Sequence, residues 1–171
     1  LFRSSHASAA NWPAPITWTP PDFKEFAPFP CAATLKSWLL ESHALTDKLM
    51  RAIEAGGLSV PQIPIVNPPL WELGHVGYFQ EFWVHRHGSF SVPPALTGAD
   101  QLYDSSRVHH ATRWTLPLPD FVTTQQQVRA TLERTLESLD RGEPDERLAY
   151  FVQLSLLHQD MHNEAFFYTC D

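Results

Sequence analysis

The chain has 171 residues, 43% of them apolar, with 12 Lys and Arg against 19 Asp and Glu, for a formal net charge of −7. That length suits a single domain able to bury about 70% of its unfolded surface, which excludes disorder as the main state and makes disulfides or a structural metal unnecessary for folding. The scattered cations of an acidic chain provide no basic stripe for phosphates, so no nucleic-acid partner is expected. No apolar run approaches the roughly 18 residues of a membrane span, so no membrane partner is expected either.

Residues 1–30 mix prolines with Trp12, Trp18, Phe23, Phe26 and Phe29 and show no sustained period. They read as an ordered arm laid over a domain formed by residues 31–171. With 15 Pro and 7 Gly, the chain should alternate long elements with proline-marked connections. A first helix is expected over about 33–55, with Leu35, Trp38, Leu39, Leu45, Leu49 and Ile53 on one stripe and Gly56-Gly57 at its end. A second begins at Asn67-Pro68-Pro69, with Asn67 as cap and Pro68 in the first turn, and runs to about His87 before Gly88. Residues 88–118 form a long connection, and connections of that length are more often functional than idle. A third helix spans about 120–139, buried through Phe121, Val128, Leu132, Leu136 and Leu139; a fourth starts near Pro144-Asp145 and continues to the end of the chain. No strand competes, so the fold class is all-α: a four-helix bundle with long crossover loops, in which sites are built from inward-facing side chains.

Cys31 and Cys170 lie far apart and outside any metal or redox spacing, so they read as buried free thiols in a reducing compartment. No signal peptide is evident, which favours a cytoplasmic location, and a chain that starts with Leu reads as trimmed or fragmentary.

Among nine histidines, His158 and His162 are one helical turn apart, on one face, at a spacing suited to two ligands of one metal. Chance supplies about half of one such pair in a chain this rich in His, and solvated or core-satisfied histidines are the competing reading. The flanking Leu154, Leu157, Met161, Ala165 and Phe166 argue for partial burial. Glu164, two residues beyond His162, is placed to orient a ligand from outside the coordination sphere. His75 stands between Trp71 and Phe79 on the second helix. Gly74 and Gly77 beside it each cost about 1 kcal/mol in a helix interior, a cost that usually signals the close approach of another group. A three-histidine site is the economical reading; His6, His43, His85, His87, His109 and His110 are expected at the surface.

The run from Asn67 through Trp71-Glu72-Leu73-Gly74-His75 to Trp83, followed by His158-x3-His162-Asn163-Glu164, resembles the amino-terminal DinB-like domain of the nonheme iron sulfoxide synthases of ergothioneine, ovothiol and selenoneine formation. The loop wording, Leu102-Tyr103-Asp104-Ser105-Ser106-Arg107 and Arg113-Trp114-Thr115-Leu116, is most similar to the selenoneine-forming members. The resemblance implies a DinB-like bundle whose His75, His158 and His162 bind Fe(II). It also implies an O2-dependent bond between the imidazole of trimethylhistidine (hercynine) and a selenosugar or thiol donor. Members of that family carry a second, carboxy-terminal domain like the formylglycine-generating enzymes, absent from this chain, where the catalytic acid is expected. Ergothioneine-forming relatives place two arginines where this chain has Arg113 and then Leu116, so the resemblance implies an uncharged sugar donor whose hydroxyls Trp114, Asp104 or Ser105 can meet; Arg113, Trp114 and Arg107 are the candidate substrate-binding residues, and the competing reading has Arg107 replace the missing cation. A zinc-dependent DinB-like thiol transferase, and a noncatalytic bundle with packed histidines, are the alternatives.

Overall fold

The computed structural model describes residues 21–56 and 60–169. Among them there is no strand, and four long helices make the bundle: α1 (Ala32–Gly56), α2 (Pro69–Gln80), α4 (Phe121–Asp140) and α5 (Glu146–Thr169). A fifth, short helix α3 (Ala99–Tyr103) and a 3-10 turn over His110–Trp114 interrupt the long connection that the sequence left without elements. Helix α1 packs on α5, α2 packs on α4, and α2 also meets α5. No helix among the described residues is long and apolar enough to cross a membrane.

Local chemistry explains the helix ends. Asp120 caps α4 by accepting from the Thr123 N–H at 2.7 Å, and the Asp145 carboxylate accepts from the Leu148 N–H at 2.7 Å at the start of α5. Helix α2 departs from expectation. Pro68 occupies the cap position without a side-chain bond and Pro69 is the first helical residue, while the Asn67 amide reaches past the cap to Glu72. Beyond Gln80 the helix widens into a π turn over Glu81–His85, closed by the Arg86 N–H on the Glu81 carbonyl. His87 and Gly88, at φ 56° and 70°, then end it.

In the described part of the amino-terminal arm, Phe23, Phe26 and Phe29 gather around Tyr150 of α5 with ring centroids 5.1, 5.1 and 6.3 Å away; Trp12 and Trp18 lie outside the described residues. The same holds for Cys170, whereas Cys31 is exposed beside Thr34, against the expectation of a buried thiol.

The bundle interior is layered. One apolar cluster holds Leu35, Leu39, Val84, Leu132, Leu139, Phe151, Val152 and Leu156; another holds Met50, Ile53, Leu73, Val128 and Phe166. Between them along α1 and α5 comes a polar seam. Thr46 donates to Asn163 Oδ1 at 2.7 Å and accepts from Gln159 Nε2 at 2.7 Å, while Asn163 Nδ2 reaches the Ser42 carbonyl at 3.2 Å. This seam corrects the expected stripe of α1: Ser42 and Thr46 are buried, and Trp38 and Leu45 are turned toward solvent. The interior face is set by what α5 offers opposite, so hydroxyls meet amides there and apolar side chains a turn away are displaced outward.

His43 and His85 were expected at the surface and are instead partly buried on either side of Gln80. His85 Nε2 and Gln80 Nε2 meet the buried Thr135 hydroxyl at 2.9 and 3.1 Å. Burial, the largest influence on each, lowers both imidazoles to about 4. Their folded values lie below the unfolded value of about 6.5, so between those limits the unfolded chain binds more protons. Stability is therefore expected to fall as pH is lowered from about 6.5 to 4, by up to about 1.4 kcal/mol per pH unit per group. Thermal unfolding across that window should show a shallower pH slope in a His43→Gln/His85→Gln variant, and an unchanged slope would contradict the assignment.

Candidate metal centre

Helix α2 carries Trp71, His75 and Phe79 at successive turns, and α5 carries His158 and His162 one turn apart. Packing α2 against α5 brings the three imidazoles together, with ring centroids 5.0 Å (His75–His158), 5.1 Å (His75–His162) and 4.6 Å (His158–His162) apart. One nitrogen from each lies within 4.8 Å of the others, and this is the metal-competent cluster found among the described residues. Gln159 and Asn163, one residue after each α5 histidine, point instead into the seam with α1. At this level α5 thus sends imidazoles toward α2 and amides toward α1.

Each ring is held by its surroundings. Trp71 stacks on His75 with centroids 4.8 Å apart and planes 10° apart, and Phe79 lies flat on His158 at 3.7 Å and 6°. His75 Nδ1 is 2.8 Å from the Tyr103 carbonyl, which fixes that nitrogen as the donor and leaves Nε2 for a metal. The glycines explain how Tyr103 arrives there. A Cβ on Gly74 would lie 2.2 Å from the Tyr103 ring, and one on Gly77 would lie 2.8 Å from Val128 of α4. The missing side chains admit α3 and α4 to the surface of α2, and one of the groups admitted is the ring whose own backbone carbonyl clamps His75.

The donor set fits a metal. Burial holds His75 down to about 4 and His158 to about 2, with the neighbouring imidazoles adding to the second shift, so both are neutral with free lone pairs near pH 7. Nδ1 of His158 and Nδ1 of His162 are buried without a hydrogen-bond partner. Three clustered imidazoles that can each aim one nitrogen at a common point supply the donor set of a single ion. Imidazole suits iron and zinc alike.

The other residues singled out in the sequence fall into two groups. Arg113 lies close to the centre. Its guanidinium sits 4.0 Å over Trp71, Nη1 donates to Asn67 Oδ1 at 2.8 Å, and Nη2 donates to the Ser105 and Val108 carbonyls at 3.2 and 3.1 Å. Arg107 is exposed, stacked 3.8 Å over Phe90 and paired with Asp104 at 3.2 Å. Trp114 is partly buried and lines a groove of about 410 Å³ with Met50, Ile53 and Phe121. Glu164 is exposed on α5. The carboxylate standing beside a ligand imidazole is Glu72, 5% exposed, with Oε1 3.5 Å from His162 Nδ1. Its signal in the sequence was faint, because a Glu in the first turn of a helix already has a reason to be there in the helix dipole. The apolar belt expected around the α5 pair is open on one side: Leu157 and Met161 are 58% and 54% exposed.

A helical bundle with three convergent histidines is an arrangement able to hold a metal ion, and comparison with known sequences gives the superfamily to which the bundle belongs. The sequence model of the DinB superfamily matches residues 38–164, and the chain belongs to that superfamily. The chain is also similar to hercynine oxygenases: 33% identical over 106 residues to that of Mycolicibacterium smegmatis, 29% over 103 residues to that of Mycolicibacterium thermoresistibile, and 27% over 106 residues to that of Mycobacterium tuberculosis. Each match covers 60% of this chain and 24%, 23% and 24% of the respective relative, so the chain aligns with about a quarter of the length of these curated relatives.

Proposed function

We propose that this chain is the metal-binding domain of an O2-dependent nonheme iron enzyme that bonds a sulfur or selenium donor to the imidazole of trimethylhistidine. The observation that carries this reading is the convergence of His75, His158 and His162 in a DinB-superfamily bundle similar to hercynine oxygenases. Iron bound there supplies the electron transfer to O2 that forming such a bond requires. The chain's own residues do the rest of what falls to this domain. His75, His158 and His162 hold the ion from one side, which keeps its other positions open to exchangeable ligands. Tyr103, Trp71 and Phe79 keep the imidazoles in place, and a second domain of the complete enzyme contributes the remaining pocket and the catalytic acid.

For the donor we favour an uncharged selenosugar over γ-glutamyl-cysteine. A dicarboxylate calls for free, fork-shaped cations. Arg113 spends its guanidinium on Trp71, Asn67 and two carbonyls, and the resemblance implies that Leu116 replaces a second arginine of ergothioneine-forming members. We assign Arg113, Trp114 and Arg107 to the donor side of the pocket, Arg113 as part of its wall.

Anaerobic loading with Fe(II) and Zn(II), followed by elemental analysis, tests the metal: one iron per chain is the expected result. Zinc retained in preference to iron favours a thiol transferase, and neither metal retained favours a noncatalytic bundle. Competition between γ-glutamyl-cysteine and a selenosugar in the complete enzyme tests the donor, and a clear preference for the dipeptide overturns the sugar.

A further inference from the structure

We propose that Glu72 is a positioning residue of the metal centre: its carboxylate accepts the Nδ1–H of His162 and thereby commits the opposite ring nitrogen to the metal. The inference rests on the reading of the three histidines as ligands and adds a fourth residue to the working site.

Glu72 lies three residues before His75, so α2 presents both to the same face. Its side chain is buried, and a buried carboxylate needs partners. Two are in place at one oxygen: Asn67 Nδ2 donates to Oε1 at 3.0 Å, and His162 Nδ1 faces the same atom at 3.5 Å. That second separation is at the outer edge of hydrogen-bond reach, and His162 Nδ1 has no other partner. Asn67 is itself held, through Oδ1, by the Arg113 guanidinium that covers Trp71. Hydrogen bonds from Arg113 to Asn67 and from Asn67 to Glu72 therefore run from the loop before α4 to a carboxylate 3.5 Å from His162 on α5. Complementing the helix dipole would require only an exposed acid in the first turn; it does not explain burial against an imidazole on another helix.

The three ligands then differ in their support. His75 has a neutral carbonyl acceptor at 2.8 Å, His162 has a carboxylate 3.5 Å from Nδ1, and His158 has an aromatic shelf with no acceptor at Nδ1. A carboxylate behind a metal-bound imidazole raises its basicity and locks its orientation, and loss of such a partner typically lowers metal affinity 10–100-fold.

The test measures Co(II) affinity of the full chain for the parent, Glu72→Ala, Glu72→Gln and, as a control on the exposed face of α4, Glu137→Gln. It also records the paramagnetically shifted exchangeable imidazole N–H signals by NMR and the thermal unfolding of the metal-free proteins. Glu72→Ala is expected to lose about 10–100-fold in affinity and to lose the His162 N–H signal to solvent exchange while the His75 signal persists. Glu72→Gln keeps the size and one acceptor, so it is expected to fold, retain the signal and lose less affinity. If both variants bind cobalt like the parent with both N–H signals intact, the proposal is overturned, including where Glu72→Ala lowers only thermal stability. If the parent itself binds no cobalt, the ligand assignment fails first and takes this proposal with it.

Discussion

Replacing any one of His75, His158 and His162 by Ala is expected to weaken divalent-metal binding by more than about 100-fold, beyond the usual cost of removing a partner outside the coordination sphere. The three nitrogens converge from two helices, so each removal leaves only two imidazoles, which hold a metal without enclosing it. Stability should respond in the opposite direction. The metal-free parent buries unsatisfied nitrogens on His158 and His162, which are costly, and truncating either relieves part of that cost while opening a small cavity. Equilibrium metal titration together with metal-free unfolding separates the two effects, with His109→Ala, on an exposed side chain, as the control. Undiminished binding in His158→Ala would remove His158 from the site.

The largest stability loss is expected away from the histidines, in Arg86→Met. Arg86 is 1% exposed, holds Asp100 through two bonds of 2.7 and 3.0 Å, and donates through Nε to the Val92 carbonyl at 2.7 Å. Tyr78 adds a third bond to Asp100 at 3.0 Å. This one guanidinium ties the π turn after α2 to α3 and to the loop between them. Removing one partner of a buried pair costs about 3–5 kcal/mol because the other charge is left behind. In a chain of this size that corresponds to a drop in Tm on the order of 10 °C. The double variant Arg86→Met/Asp100→Leu should recover much of the loss, since apolar replacement of both partners is often close to neutral. Metal affinity should fall with the single variant, because α3 carries the Tyr103 carbonyl that holds His75. A single variant as stable as the parent would show that the pair contributes nothing net.

Much of the site was legible from spacing alone. His158 and His162 are one turn apart whatever the helix packs against, and His75 between Trp71 and Phe79 advertised an aromatic face. Glu72 was not legible as part of the site, because its local role at a helix start is sufficient in sequence terms and its partner is on another helix. His43 looked isolated along the chain and His85 looked like part of a frayed helix end; each is covered by a residue distant in sequence, Gln80 for His43 and Thr135 for His85.

The sequence by itself determined that the chain is helical, the approximate bounds of α1, α4 and the start of α5, and which two helices carry the three clustered histidines. Those properties rest on interactions within a turn or two: caps at Asp120 and Asp145, glycine and proline stops, and apolar periodicity. Only the tertiary structure decided which face of each helix is interior. Facing helices choose partners by chemistry as well as by hydrophobicity, so Ser42 and Thr46 of α1 went inward to meet Gln159 and Asn163 while Trp38 and Leu45 turned out. The same packing turned the histidines of α5 toward α2, where the Glu72 carboxylate stands beside His162 and the Tyr103 carbonyl beside His75.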